Sequence, residues 1–470
     1  MSTSSHQNAD SQQETGSFFD AGSPPYLLYG ATVLTLNDEA EILPNVEVLV
    51  AHGRIASIGR AVTAAPGTQL IDLTGHILMP GLVQGHVHLG QTFFRGLAED
   101  RRLLAWLRER IWPLEAAHDD ESAYWCTLLG ATECLLSGST TVQDIGIGPG
   151  ARGYLRAIAD SGLRALAGKC LMDTGDGLPD GLAEDTDDAL ASSEALGKEI
   201  AAGRLGSERL RYAINPRFVL SCSGDLWSGV RSLAERHGWP IHTHALEQEE
   251  ETALVRAATG LDEIEYFDDQ GILDADLRIA HGIWIDQGHY SQLADRRFSV
   301  VHCPSSNLKL GSGIADVVGL RKAGIPVGVG CDGAACANGL DAFEELRLAA
   351  LLQKLRNGPD SFSGLAALRL ATSEGARALG LNHEVGSVEV GKRADLVALR
   401  LDRPELWSAG AADPHDVVAF SANAASVRHV FVDGEHLVAD GRLTQLDLAE
   451  VRREATRSCD ALLERSGLNL

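Results

Sequence analysis

The chain has 470 residues, 44% hydrophobic and 22% charged, with a formal net charge of −25. That is the composition of a soluble globular protein large enough for more than one core, and its acidity excludes nucleic acid and anionic membrane as partners, since both need a basic face. No apolar run reaches the roughly 18 residues needed to span a bilayer.

Residues 1–24, which open with "MSTSSHQNADSQQETGSFFD", form a polar tail expected to be disordered. The tail has neither the basic nor the apolar region of a secretory signal. Cysteines at 126, 134, 170, 222, 303, 331, 336 and 459 form no C-x-x-C pair, so reduced thiols in a cytoplasmic protein are expected.

From residue 26 to 79 the chain reads as short strands punctuated by glycine: "YLLYGATVLTL", "VEVLVAHGRIASIG", "TQLIDLTGHILMP". The pattern changes at Pro80-Gly81. Strand-like runs such as "TTVQDIG", "LRALAGKCLMD", "RYAINPRF", "WPIHTHALE", "LRIAHGIWI", "FSVVHCPSSN" and "IPVGVGCDG" then alternate with helix-like segments at 120–137, 225–237, 314–323 and 340–354. Seven or eight such units predict an α/β fold, a parallel (β/α)8 TIM-like barrel over residues 81–381. Strands return after residue 382, in "GSVEVGKRADLVAL" and "VRHVFVDGEHLVADGRL". Residues 25–80 and 382–446 together predict one small β-sandwich domain built from both chain ends. Residues 447–470 predict a C-terminal helix. The acidic, alanine-rich stretch 178–198 reads as a helix or a mobile lid.

His86 and His88 in "GLVQGHVHLGQ" stand two apart on a predicted strand, which puts both rings on one face. Such barrels keep their active sites at the C-terminal ends of the strands. Other predicted strand ends bring His242, His244 and Glu247 in "IHTHALE", His281 in "AHG", His302 in "VVHCPSSN" and Asp332 in "GVGCDG". Any one of these is commonly structural. Several histidines and an aspartate converging on one mouth point to a divalent metal. Three nitrogens and one carboxylate leave room for a water whose pKa the metal lowers. Glu247 is placed to shuttle protons and His281 to orient the hydroxide.

In this order, "PGLVQGHVH", "HTHALE", "AHG", "HCPSSN" and "GCDG" resemble the amidohydrolase superfamily in its deaminase branch, and "GSVEVGKRADLVAL" resembles that group's C-terminal signature. The resemblance spans roughly residues 26–440. It implies one metal ion, zinc before iron(II), held by His86, His88, His244 and Asp332. It implies Glu247, His281 and Asp332 as the proton-handling residues, and leaves His242 behind the ligands. It also implies a homodimer. Lys169 in "AGKCLMD" is the counterpart of the metal-bridging lysine of two-metal relatives. With four ligands already present it is read as structural.

For the substrate, "HVHLGQ" and "NPRFVLSCS" resemble guanine deaminases, which implies Gln91 and Arg217 as base-binding residues, with Trp106 and Phe218 beside them. An amide and a guanidinium suit a fused ring with a carbonyl and ring nitrogens. Guanine is therefore the first expectation, with 8-oxopurines and pterins open. "FFRGLAEDRRLLAWLRERIWPLE" and "CDGAACANGLDAFEELRLAALLQK" instead resemble deaminases of adenosylhomocysteine, methylthioadenosine and 5′-deoxyadenosine, and in part chlorotriazine hydrolases. Cys331 stands where many relatives carry threonine. A non-catalytic metal-binding barrel is the remaining alternative, and Glu247 and His281, which binding alone does not need, speak against it.

Overall fold

The computed structural model describes residues 24–468. All but the last residue of the expected 1–24 tail lies outside the described residues. The first strands are Tyr26–Leu34 (β1), Ile42–Ala51 (β2), Arg54–Gly59 (β3), Gln69–Asp72 (β4) and His76–Pro80 (β5). Parallel strands come next: Leu82–His88 (β6), Ser139–Asp144 (β7), Arg164–Ala167 (β8), Cys170–Leu171 (β9), Leu210–Tyr212 (β10), Asn215–Pro216 (β11), Ile241–Ala245 (β12), Leu277–His281 (β13), Phe298–His302 (β14), Val327–Val329 (β15) and Asp332–Gly333 (β16). The chain returns to strands at Leu396–Arg400 (β17), Val427–Val432 (β18), Glu435–Ala439 (β19) and Arg442–Leu443 (β20).

The two ends of the chain share one nine-stranded sheet, ordered β20-β19-β18-β17-β5-β1-β2-β3, with β4 beside β1. The seam is the antiparallel pair of β5 and β17, which sets Met79 opposite Val397. Alternation along β2, exposed in its first half and every second residue buried in its second, marks a sheet with one covered face.

The parallel strands read differently. Every residue of β6, β7, β13 and β14 is buried, as expected where helices cover one face and a packed interior fills the other. They form the orders β10-β8-β7-β6-β16 and β12-β13-β14-β15. A parallel bridge between Ile214 and Ile241 joins the two groups at one side, and β15 packs against β6 at the other.

The expected helices are present as Asp120–Leu136, Gly224–His237, Val317–Lys322, Ala342–Asn357 and Leu448–Ser466. The ambiguous 178–198 stretch resolves into a loop and the helix Thr186–Ala201, whose N-terminus is capped by Asp185 accepting from Asp187 and Asp188. The connection after β6 carries the segment that matters for function. A tight turn, Leu89–Phe94, leads to Leu103–Trp106, a π-helical turn Leu107–Ile111, and Trp112–Ala116 with Pro113 in its first turn. Phe93, Leu103, Trp106, Leu107, Trp112 and Phe218 close over the strand ends in one apolar cluster, which the last helix joins through Ala455 and Leu462.

Candidate active site

The site grows out of β6. Its alternate residues Gln84, His86 and His88 point inward. Gln84 donates to Ser139 Oγ (2.9 Å) and accepts from the Cys331 amide (3.2 Å), locking β6 to the strand end that carries Asp332. The His86 and His88 rings meet edge-on, 4.9 Å apart. Asp332 lies 3.3 Å from His86 Nε2 and 3.2 Å from His88 Nε2. His244, from β12, brings its Nε2 within 3.0 Å of His88 Nε2.

Ligand atoms of His86, His88, His244 and Asp332 all lie within 4.8 Å of one another, and all four residues are buried. Atoms at the corners of a tetrahedron around zinc lie about 3.3 Å apart, close to the edges seen here. The outward nitrogens are each spoken for. His86 Nδ1 meets His242 Nε2 (2.8 Å), whose own Nδ1 donates to the Arg278 carbonyl (3.1 Å). His244 Nδ1 donates to the Arg217 carbonyl (2.7 Å). His88 Nδ1 lies 3.1 Å from the Gln91 amide. Acceptors on the Nδ1 atoms of His86 and His244 turn their Nε2 atoms toward the shared centre.

His86 Nε2, His281 Nε2 and Glu247 Oε1 are buried without a hydrogen-bond partner. Orphaned polar atoms of this kind are rare in native interiors. A cation held by the four ligands, with a water on it, would satisfy them, so the residues present fit a divalent metal.

Burial works to raise the Asp332 carboxyl, but the facing imidazoles of His86, His88 and His281 hold it well below the usual range. Burial, reinforced by the charge of Asp332, pushes Glu247 well above the usual carboxylate range. His281 Nε2 lies 3.5 Å from Glu247 and 3.9 Å from Asp332, and its Nδ1 is held by Asn307 Oδ1 (2.8 Å). Leu246, His281 and Asp332 all have positive φ, 57°, 71° and 63°. Three non-glycine residues in this sparsely populated region at one mouth mark a strained, over-determined site. Nothing in the residue pattern announces that strain.

Gln91 and Arg217, expected at the base, both meet Glu115. Gln91 is fully buried and does not line the cavity above the cluster, whose wall includes His88, Leu103, Trp106, Arg217, Phe218 and Glu247. Its side chain is turned back under Gly333, where a Cβ would come within 2.3 Å of Gln91 Oε1, and its Nε2 donates to Glu115 (2.9 Å). Arg217 does reach the cavity wall, yet its guanidinium donates to Glu115 (2.5 Å) in an ion pair with both side chains almost wholly buried. Sequence reasoning misses Glu115. The available signal is an acid set among Ile111, Trp112 and Leu114, on a segment too apolar to leave it in water. Trp106 and Phe218 stand in the wall as expected. His302 is not part of the cluster; its Nδ1 faces Asn307 (3.4 Å). Lys169 pairs with Glu184 and donates to Ser192 Oγ (2.7 Å), as a structural lysine does.

A model described as the amidohydrolase family matches residues 77–437. The chain belongs to the amidohydrolase family. It is a hydrolase acting on carbon–nitrogen bonds, and membership implies a TIM-barrel-like α/β fold. Over 445 residues it is 34% identical to the 5′-deoxyadenosine deaminase of Methanobrevibacter smithii, covering 94% of this chain and 98% of that one. It is also 34% identical over 446 residues to the 5-methylthioadenosine/S-adenosylhomocysteine deaminase of Pelotomaculum thermopropionicum, covering 93% and 99%. Among solved structures, an adenosine deaminase from Xanthomonas campestris with bound zinc superposes with a TM-score of 0.86 at 30% identity, covering 93% of this chain and 98% of that one.

Proposed function

We propose that this amidohydrolase is a metal-dependent hydrolytic deaminase of an adenosine-type substrate: 5′-deoxyadenosine, methylthioadenosine, adenosylhomocysteine or a close 6-aminopurine nucleoside. The observation that carries it is the His86–His88–His244–Asp332 cluster, complete in a chain similar along nearly its whole length to deaminases of those names. Guanine, the first expectation from the sequence, is supported less well. It rests on Gln91 and Arg217 facing a base, and both side chains are paired with Glu115.

His86, His88, His244 and Asp332 hold the ion, zinc before iron(II). A bound divalent ion supplies Lewis acidity, bringing the pKa of a water toward neutrality. The chain's own groups do the rest. Glu247, whose protonated form burial favours, gives its proton to the ring nitrogen beside the reacting carbon and takes one back from the attacking water. His281, oriented by Asn307, holds the attacking oxygen in line, and Asp332 takes that oxygen's second proton and passes it to the departing amine. The new C–O bond replaces the C–N bond and ammonia leaves. Trp106 and Phe218 enclose the ring and exclude bulk water.

The same reading takes residues 81–381 as one closed eight-stranded barrel, 25–80 with 382–446 as a small β-sandwich domain, and 447–470 as a C-terminal helix, in a cytoplasmic homodimer. The deciding experiment is ammonia release from a panel of 5′-deoxyadenosine, methylthioadenosine, adenosylhomocysteine, adenosine and guanine, with metal content measured on the same sample. Turnover of the adenosine-type members and not guanine is expected. Turnover of guanine alone overturns the reading.

A further inference from the structure

Ser312 lies 3% exposed in the loop that follows the helix Pro304–Lys309. Three of its polar atoms are engaged, and chemistry fixes the direction of each bond. Its amide donates to the Asn307 carbonyl (2.8 Å), and its carbonyl accepts from Trp284 Nε1 (3.1 Å). Its Oγ accepts from Gln248 Nε2 (3.2 Å). That nitrogen also donates to the Leu310 carbonyl (3.0 Å). A carbonyl can only accept, so the Gln248 amide is held this way round. None of these bonds uses the Ser312 hydroxyl proton.

A buried hydroxyl proton needs an acceptor, and the Ser312 side chain faces the carboxyl of Glu247. Glu247 immediately precedes Gln248, so the loop is tied to this strand end beside the acid it reaches. The contact holds in either protonation state. An ionised Glu247 accepts on a carboxylate oxygen, and a protonated one accepts on its C=O oxygen and keeps the O–H on the other. Burial and the Asp332 charge push the Glu247 pKa up, and the Ser312 bond acts against them. The backbone of Glu247 is held separately, by Glu251 Oε2 on its amide (3.0 Å). Glu247 is part of the cavity wall and Ser312 is not, so Ser312 acts on the reaction through Glu247 and without touching substrate.

We propose that Ser312 is a positioning residue for proton transfer: its hydroxyl binds one oxygen of the Glu247 carboxyl and leaves the other, with its proton, toward the reacting ring. The inference deepens the deaminase reading and rests on Glu247 as the proton shuttle, not on which purine is turned over.

The test has a structural arm and a kinetic one. In a crystal structure of the zinc-loaded wild-type protein, Ser312 Oγ is expected within hydrogen-bond distance of a Glu247 carboxyl oxygen. A hydroxyl bonded elsewhere overturns the proposal, and this arm needs no substrate. Ser312→Ala removes the hydroxyl and leaves the two backbone bonds of residue 312 in place. With any purine that the wild type deaminates, kcat is expected to fall about 10- to 100-fold, the factor that one hydrogen bond to a charged group is worth. KM and zinc content are expected to stay unchanged. Ser312→Thr, which keeps the hydroxyl, is expected to return most of the loss. In a Glu247→Gln background, Ser312→Ala is expected to cost little more, because no proton is left to aim. Wild-type kcat in Ser312→Ala overturns the proposal, as does a full loss that persists in the Glu247→Gln background. If no purine on the panel is turned over, the deaminase reading fails, while the crystal structure still decides the Ser312 contact.

Discussion

Glu247 shows how one residue acquires a role from its surroundings. In the sequence it opens an acidic run, and Glu249 and Glu250, two and three residues on, begin the helix Glu249–Thr259. In the structure Glu247 alone of these three is buried, its amide held by Glu251 Oε2 (3.0 Å). Burial and the nearby Asp332 charge favour its protonated form, which is what a proton donor to a ring nitrogen needs. Glu247→Gln keeps size and polarity but carries no transferable proton. We expect kcat to fall by about 10²- to 10⁴-fold with metal content unchanged. Full activity in a zinc-loaded Glu247→Gln protein would remove the shuttle role. His86 and His88 are legible for a simple reason: period two on a strand fixes the face regardless of context. Gln91 is not, because it lies past the strand end, in the turn Leu89–Phe94, where sequence spacing no longer tells which way a side chain points.

At the scale of elements, the segment from Leu103 to Ala116 decides access. The cavity it closes, between Trp106, Leu107, Phe218 and the ligands, measures about 20 Å³, room for about one water. Small-molecule pockets run from about 300 to 1,000 Å³. A ligand the size of a nucleoside needs more room, so part of this wall must yield to admit one, and the π-helical turn Leu107–Ile111 breaks the regular hydrogen-bond ladder in the middle of the segment. Amide exchange across residues 103–116 should slow when a non-hydrolysable purine nucleoside is bound, with a change in Trp106 fluorescence. Exchange that is the same with and without ligand would show that entry follows another path. Helix period alone does not reveal this segment, because Leu103, Trp106, Leu107 and Ile111 are apolar on too many sides to mark one buried face. They are covered by the last helix from below and the strand ends from within.

For the molecule as a whole, buried neutral histidines tie stability to pH. His118 lies between the Gly90 carbonyl (3.0 Å) and Ser122 Oγ (3.2 Å), and burial pushes its pKa down to about 4. Below pH 6.5 the unfolded chain takes up a proton there that the folded chain refuses, so stability is present at neutral pH and drains away between about pH 6.5 and 4. The loss from this one group reaches about 3 kcal/mol. His302, pushed by burial to about 3, acts in the same direction. In urea titrations from pH 7 to 4.5, His118→Asn should flatten the fall of unfolding free energy with acidity; a slope equal to the parent's would assign the loss elsewhere. The parts of the molecule are also joined by charge. Arg164, at the start of β8, donates to both oxygens of Asp395 (2.9 and 3.0 Å), whose Oδ1 also accepts from the Asp433 amide (2.8 Å) beside the nine-stranded sheet.

The sequence by itself determined the alternation of strand and helix, the face of β6 that carries two imidazoles, and the ordered set of strand-end residues that marks the family. Each of these is a local property, set by side-chain period or by residue type at a strand terminus. Only the tertiary structure decided which nitrogens face inward, that Leu246, His281 and Asp332 bear positive φ, and that Gln91 and Arg217 both meet Glu115. Those facts depend on contacts between residues 24 to 156 positions apart, and no local period carries information across such distances. "GLVQGHVHLGQ" therefore stated its metal chemistry plainly through two histidines, while its last residue took its meaning from a carboxylate on another element.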